Sequence, residues 1–204
     1  GIMGDSEAEE QQYTVVYLDG DLELCTWIKR SGRARVTYAN GDTFEGEYNS
    51  HGQRHGHGLY RYTLEEGGSG EYEGQWQQGM KHGQGVMKYP NGDSYRGSWF
   101  RDQRHGQGTY TYLNGDVYSG RWVKGKKHGR GTYVKVDTQS QLIGEWSDGK
   151  LASGKWSFKD GTVYDGPFAA NQPQGRGVFI FPHGAQVEGT FSGGKRGEGG
   201  DEEE

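Results

Sequence analysis

Four histidines recur beside glycine, at His55, His82, His105 and His128. Imidazole is a frequent zinc ligand, which makes a metal site the first chemistry to test. A shared ion needs each nitrogen within about 2.1 Å of the metal. Equivalent atoms in adjacent units of a stacked β array lie roughly 10 Å apart. Neighbouring histidines are therefore not expected to share an ion. His51, His55 and His57 form a denser local group, but no cysteine accompanies it. The expectation is a loop histidine bonded to backbone beside its glycine, with no metal and no cofactor.

The His-Gly-x-Gly runs look like phosphate-cradling loops on paper. A Walker loop ends in Gly-Lys-Ser/Thr and opens a helix. Gly120 to Gly125-Lys126 comes nearest, with Lys127 where the hydroxyl belongs, and Gly189 to Gly194-Lys195 fails in the same way at Arg196. Neither opens a helical pattern. The Gly-x-Ser-x-Gly elbow of a serine nucleophile is absent. No catalytic residue emerges, and an enzyme is not expected.

Bases cluster beside the histidines, at Arg54, Lys81, Arg104, Lys126, Lys127 and Arg130. Their recurrence places them along one edge of the array. Three readings fit that placement: a solvated edge that blunts aggregation, an acidic protein partner, or anionic headgroups. The aromatic residues carry a stronger pattern. Tyr72-x-Gly74-x-Trp76, Tyr95-x-Gly97-x-Trp99 and Tyr118-x-Gly120-x-Trp122 recur every 23 residues. Tyr and Trp are favoured binding residues. The candidate partner-binding residues are Tyr95, Trp99, Tyr110, Tyr112, Tyr118, Trp122 and Tyr133.

A period this short means a repeat array, because one unit cannot bury its own apolar side chains. Looser copies begin at Phe44, Leu142, Tyr164 and Val187. Asn40-Gly41-Asp42, Asn91-Gly92-Asp93 and Asn114-Gly115-Asp116 read as tight type I′ hairpin turns, and Asp160-Gly161 serves the same turn. Each unit then supplies two antiparallel strands, with an open loop between Trp76 and His82. Alternation puts Tyr95, Gly97 and Trp99 on one face and Arg96 and Ser98 on the other. The glycine leaves space for a ring to lie over the backbone. The fold class is all-β, an elongated, single-layer, twisted antiparallel sheet of stacked hairpins.

The organisation follows. Residues 1–12 are acidic and expected to be disordered, with Gly1-Ile2 reading as a cloning remnant. Residues 13–43 are atypical strands acting as a cap. Residues 44–197 form the array, with a longer loop at 65–70, and residues 198–204 are an acidic tail. Ala8 stands where a myristoylation signal at Met3-Gly4 wants Ser or Thr. Net charge is −5 over 204 residues. The two ends hold nine acids and no base, and the remaining 19 acids face 23 Lys and Arg, about +4. That balance lacks the dense basic stripe of a nucleic-acid binder. The lone Cys25 allows no internal disulfide and fits a reducing compartment. No apolar run approaches a bilayer span.

The pattern Tyr-x-Gly-x-Trp, His-Gly-x-Gly, Asn-Gly-Asp resembles the MORN repeat family over about residues 36–197. The runs Lys81-His-Gly-Gln-Gly and Arg104-His-Gly-Gln-Gly-Thr-Tyr and the acidic ends are most similar to the MORN proteins of the radial spoke head in motile cilia. Those proteins tend to continue into a Glu-rich tail, so Glu202-Glu203-Glu204 reads as the start of one. The resemblance implies a non-enzymatic scaffold in the axoneme, a cytoskeletal structure of the cilium or flagellum. It would bind other spoke-head proteins through its sheet, with homodimerisation through a face or an open end. A membrane-tethering MORN module is the alternative, and the acidic ends argue against it. MORN arrays also precede lipid-kinase and lysine-methyltransferase domains, but here the repeats use nearly the whole chain.

Overall fold

The computed structural model describes residues 13–20, 24–25, 28, 30–64, 68–193 and 195–196. The expectations for residues 1–12 and 198–204 fall outside these. Among the described residues there is no helix. The chain forms two compact units, residues 1–91 with 100–102 and residues 92–99 with 103–204.

The first unit contains β1 (Tyr13–Tyr17), β2 (Leu24–Cys25), β3 (Gly32–Tyr38), β4 (Thr43–Tyr48), β5 (Arg54–Thr63), β6 (Ser69–Gln77) and β7 (Met80–Lys88). They pair antiparallel in the order β2-β1-β3-β4-β5-β6-β7. The expected loop at 65–70 is shorter than read: Ser69 and Gly70 already pair with β5, and residues 65–67 lie outside the described set.

The second unit holds β8 (Ser94–Phe100, whose last residue falls in the first unit), β9 (Gln103–Thr111), β10 (Val117–Val123), β11 (Lys126–Lys135), β12 (Ser140–Ser147), β13 (Lys150–Ser157), β14 (Val163–Ala169), β15 (Gln172–Pro173), β16 (Gly175–Ile180), β17 (Gln186–Ser192) and β18 (Lys195–Arg196). From β9 to β14 each strand pairs antiparallel with the next, and β14 continues through β16 to β17 and β18. Successive hairpins thus build one continuous antiparallel sheet within each unit.

The hairpin ends exchange the turn types expected of them. At Asn114-Gly115-Asp116 the Gly115 N–H donates to the Tyr112 carbonyl and the Tyr112 N–H to the Asp116 carbonyl, both at 2.9 Å. Gly115 has φ +87°, whereas Asn114 keeps a negative φ. This is a three-residue loop, a type I turn closed by a glycine bulge. The Asn114 side chain accepts the Asp116 N–H at 3.0 Å, an Asx turn that holds Asn114 out of the left-handed region. Asn40-Gly41-Asp42 is built alike. The type I′ turns lie at the opposite ends, where an open loop was expected. Gln78-Gly79 (φ 51° and 82°) and Lys124-Gly125 (48° and 78°) close them in two residues.

The histidines are in strands, not loops. In β11, Lys127 pairs with Trp122 and Gly131 with Gly120, so His128, Gly129 and Arg130 together oppose Arg121. Gly129 takes φ +59° to make this bulge. The same bulge carries His82-Gly83 and, in β5, Gly56-His57.

In each unit the core is built of rings on one face of its sheet. Tyr72, Tyr95, Tyr118 and Tyr164 are fully buried, each lying over glycines of its own strand and the next. A Cβ on Gly97 would fall 2.6 Å from the Gln107 carbonyl oxygen, and one on Gly108 2.6 Å from Tyr95 Cε2. Real Cβ atoms do not come so close, so the ring takes the volume that side chains would fill.

Candidate binding face

Three layers of side chains rise from the ring-bearing face. The first is the Tyr–Trp pair within a strand. Tyr95–Trp99 and Tyr118–Trp122 meet edge to face at 5.2 Å. Each tyrosine hydroxyl donates to a carbonyl three residues on, Tyr95 to Ser98 at 2.9 Å and Tyr118 to Arg121 at 3.1 Å. The indole N–H of Trp122 donates to the Gly108 carbonyl and that of Trp146 to Gly131, both at 3.1 Å. In the first unit Trp76 donates likewise to Gly58 at 3.3 Å. These buried donors are therefore satisfied. Burial pushes the Tyr118 hydroxyl up to about 12.

The second layer is a half-buried tyrosine from the strand before the tryptophan it covers. Tyr60 lies over Trp76, Tyr110 over Trp122 and Tyr133 over Trp146, at 6.0–6.3 Å. Their hydroxyls donate to the aspartate of the preceding Asn-Gly-Asp turn: Tyr60 to Asp42 at 2.7 Å, Tyr110 to Asp93 at 2.6 Å and Tyr133 to Asp116 at 2.8 Å. The second oxygen of each aspartate accepts a backbone N–H, from Thr63, Leu113 and Val136. Burial works to raise the Asp116 pKa. The donors from Val136, Tyr133 and Asn114 outweigh it and hold the carboxyl below its usual value.

The third layer is a cation. Arg54 stands over Tyr60 and Trp76 at 5.0 and 4.5 Å, and Arg104 over Tyr110 and Trp122 at the same distances. Lys127 is enclosed by Tyr112, Tyr118, Tyr133 and Trp146 at 4.6–5.4 Å. Lys81 lies over Tyr62 and Tyr72. The periodic bases thus do not form one solvated edge. These four sit on the rings as cation–π partners. Lys126 instead turns out to Asp148 and Arg130 to Glu145.

Of the seven residues singled out from the sequence, Tyr95, Trp99, Tyr118 and Trp122 are no more than 5% exposed. Tyr110, Tyr112 and Tyr133 are half-buried and reach the surface. The fold gathers Tyr112, Tyr118 and Tyr133 around Lys127, and Tyr110 and Trp122 around Arg104. Sequence reasoning missed the aspartates as tyrosine acceptors. A signal existed: in later repeats the pair changes together, to Ser140 with Trp156 and to Thr162 with Phe179. The cation changes with them, to Leu151 and Pro173, both buried. Where Trp156 replaces the tyrosine, its Nε1 is buried without a partner among the described residues. His82 packs on Phe100 at 5.2 Å, and no group of three His, Cys, Asp or Glu side chains converges among the described residues.

The model of the MORN repeat matches residues 44–63, 72–94, 95–117, 118–139, 143–163 and 164–186, more than half of the chain. The chain belongs to the MORN repeat family. Its six matched MORN repeats cover the three-layer units and also the apolar versions that end the array. No curated protein matches the chain. Among 35 solved chains that do match is the SAS-4 (dCPAP) TCP domain of Drosophila melanogaster, solved in complex with a proline-rich motif of Ana2 (dSTIL). It shares 17% identity over 80% of this chain and 90% of that one, with a TM-score of 0.48. A MORN array of this kind is a repeat-based binding scaffold.

Proposed function

We propose that this MORN chain is a non-enzymatic scaffold subunit of the ciliary radial spoke head. It binds other spoke-head proteins through the ring-bearing face, resides in the axoneme and supports ciliary motility. The observation that carries the binding role is the ladder of half-buried Tyr110 and Tyr133 over buried tryptophans, with Tyr112 between them and Arg104 and Lys127 seated among the rings. Amphipathic aromatics held rigidly at a surface bind at low entropic cost. The spoke-head assignment rests on the likeness of the His-Gly-Gln-Gly runs and the acidic ends. Membrane tethering gains little support, since Lys126, Arg130 and Lys155 are paired with Asp148, Glu145 and Asp165. The test is affinity purification of the tagged chain from motile ciliated cells. Spoke-head subunits should co-purify; capture of membrane-junction proteins alone, or of no axonemal protein, sinks the proposal.

A further inference from the structure

We propose that Lys127 and Tyr112 form an anchor for an aspartate or glutamate side chain of the protein partner, which rests on the scaffold reading above. The argument starts from which polar groups around Lys127 are already used. Tyr118 donates to the Arg121 carbonyl, Tyr133 to Asp116 and the Trp146 indole to the Gly131 carbonyl. Three of the four rings thus have no donor to spare. Two groups remain. The Lys127 ammonium has four rings within 5.4 Å but no hydrogen bond or ion pair among the described residues, and the Tyr112 hydroxyl has none either. Lys127 Nζ lies 5.4 Å from the Tyr112 ring centre, a separation that the two oxygens of one carboxylate can span.

The neighbouring repeat fills the equivalent vacancy from within its own fold. Arg104 occupies the same position but donates to the Gly125 carbonyl at 2.8 Å, within its own fold. Burial, with the nearby Arg104 charge, lowers Lys127 to about 8. A half-buried ammonium without a counter-charge is costly, and a carboxylate that meets it there recovers a charge-assisted bond in a weakly screened place. Neither group is fully buried, so both can be reached. The occupant is a peptide carboxylate and not a lipid surface, because a bilayer attracts clustered exposed bases. Lys127 is instead half-buried among rings, and its exposed neighbours Lys126 and Arg130 carry acidic partners.

The test uses a fluorescent glutamate dodecapeptide, its glutamine counterpart, and phosphatidylcholine vesicles containing phosphatidylserine. The whole chain should bind the glutamate peptide over the glutamine one. Lys127→Leu should weaken that binding about tenfold, the size of one partly buried charge contact. Leu151 fills the equivalent place one repeat on, so this variant keeps an apolar seat the fold already uses. Tyr112→Phe should weaken binding about threefold, within the range of one hydrogen bond. Lys126→Gln should leave it unchanged. Unaltered affinity in Lys127→Leu, no preference for the glutamate peptide, or Lys127-dependent binding to vesicles alone overturns the anchor. Loss of spoke-head co-purification with intact Lys127-dependent peptide binding overturns only the spoke-head reading. The converse pattern overturns only the anchor.

Discussion

Tyr133 donates its hydroxyl to Asp116 at 2.8 Å, from one repeat back into the turn of the repeat before it. The other carboxylate oxygen accepts the Val136 N–H at 2.9 Å. One aspartate thus ties a ring and a backbone group of the following repeat to its own turn. Tyr133→Phe should cost about 1 kcal/mol and Asp116→Ala about 2 kcal/mol, because the second also strands donors. Chemical denaturation of the two single variants and the double should show them coupled, not additive.

Trp156 supplies the reverse test. Its buried Nε1 has no partner among the described residues, and Ser140 stands where earlier repeats place aspartate. Trp156→Tyr and Ser140→Asp should each destabilise. Together they rebuild the tyrosine–carboxylate bond, with a favourable coupling of about 1 kcal/mol in a double-mutant cycle. A coupling of zero would mean the later repeat cannot adopt the earlier geometry.

Gly108→Ala should be among the most damaging single changes. The added methyl meets the Tyr95 ring, which is fully buried and has no alternative site. A loss of about 3 kcal/mol or more is expected in thermal or urea unfolding, at the upper end for overpacking. Gly125→Ala meets nothing within 4 Å and costs only the backbone strain of its positive φ, roughly 1–2 kcal/mol.

Stability should rise with pH between about 8 and 10, with Lys127 as the source. Its folded pKa is about 8 against an ordinary 10.5. In that window the unfolded chain holds more protons than the native one, so the slope of stability against pH is positive. Below 8 the full penalty of the buried charge is present. The groups facing it are Arg104 and the tyrosines 112, 118 and 133, and burial raises all three phenols. Their ionisation is favoured in the unfolded chain, which opposes the trend above about 10. Lys127→Leu should flatten the rise in melting temperature between pH 8 and 10.

Trp99→Ala and Trp122→Ala should act on folding before they act on binding. Both indoles are buried. Each truncation should cost about 3–5 kcal/mol, visible as a lower melting temperature.

The period of Tyr95, Gly97 and Trp99 made the strands, the facing and the core legible before any coordinates. Asn114-Gly115-Asp116 made the hairpin legible but not its turn. The Asn114 side chain competes for the backbone and selects a three-residue loop, a choice that Asn-Gly alone does not encode. Lys124-Gly125 looked like loop residues because only one of its two positive φ angles falls on glycine. The placement of Lys127 was hidden for another reason. A lysine beside a histidine reads as solvated, and only the strand pairing of Lys127 with Trp122 turns it inward.

The indoles of Trp76, Trp122 and Trp146 and the hydroxyls of Tyr60, Tyr110 and Tyr133 all reach toward residues that precede them. The array therefore has a direction. As the chain leaves the ribosome, each of these six rings meets an acceptor that has already been synthesised, while Arg104 must await the Gly125 carbonyl. Growth from the first repeat onward can proceed stepwise, with just the newest segment incomplete at any moment.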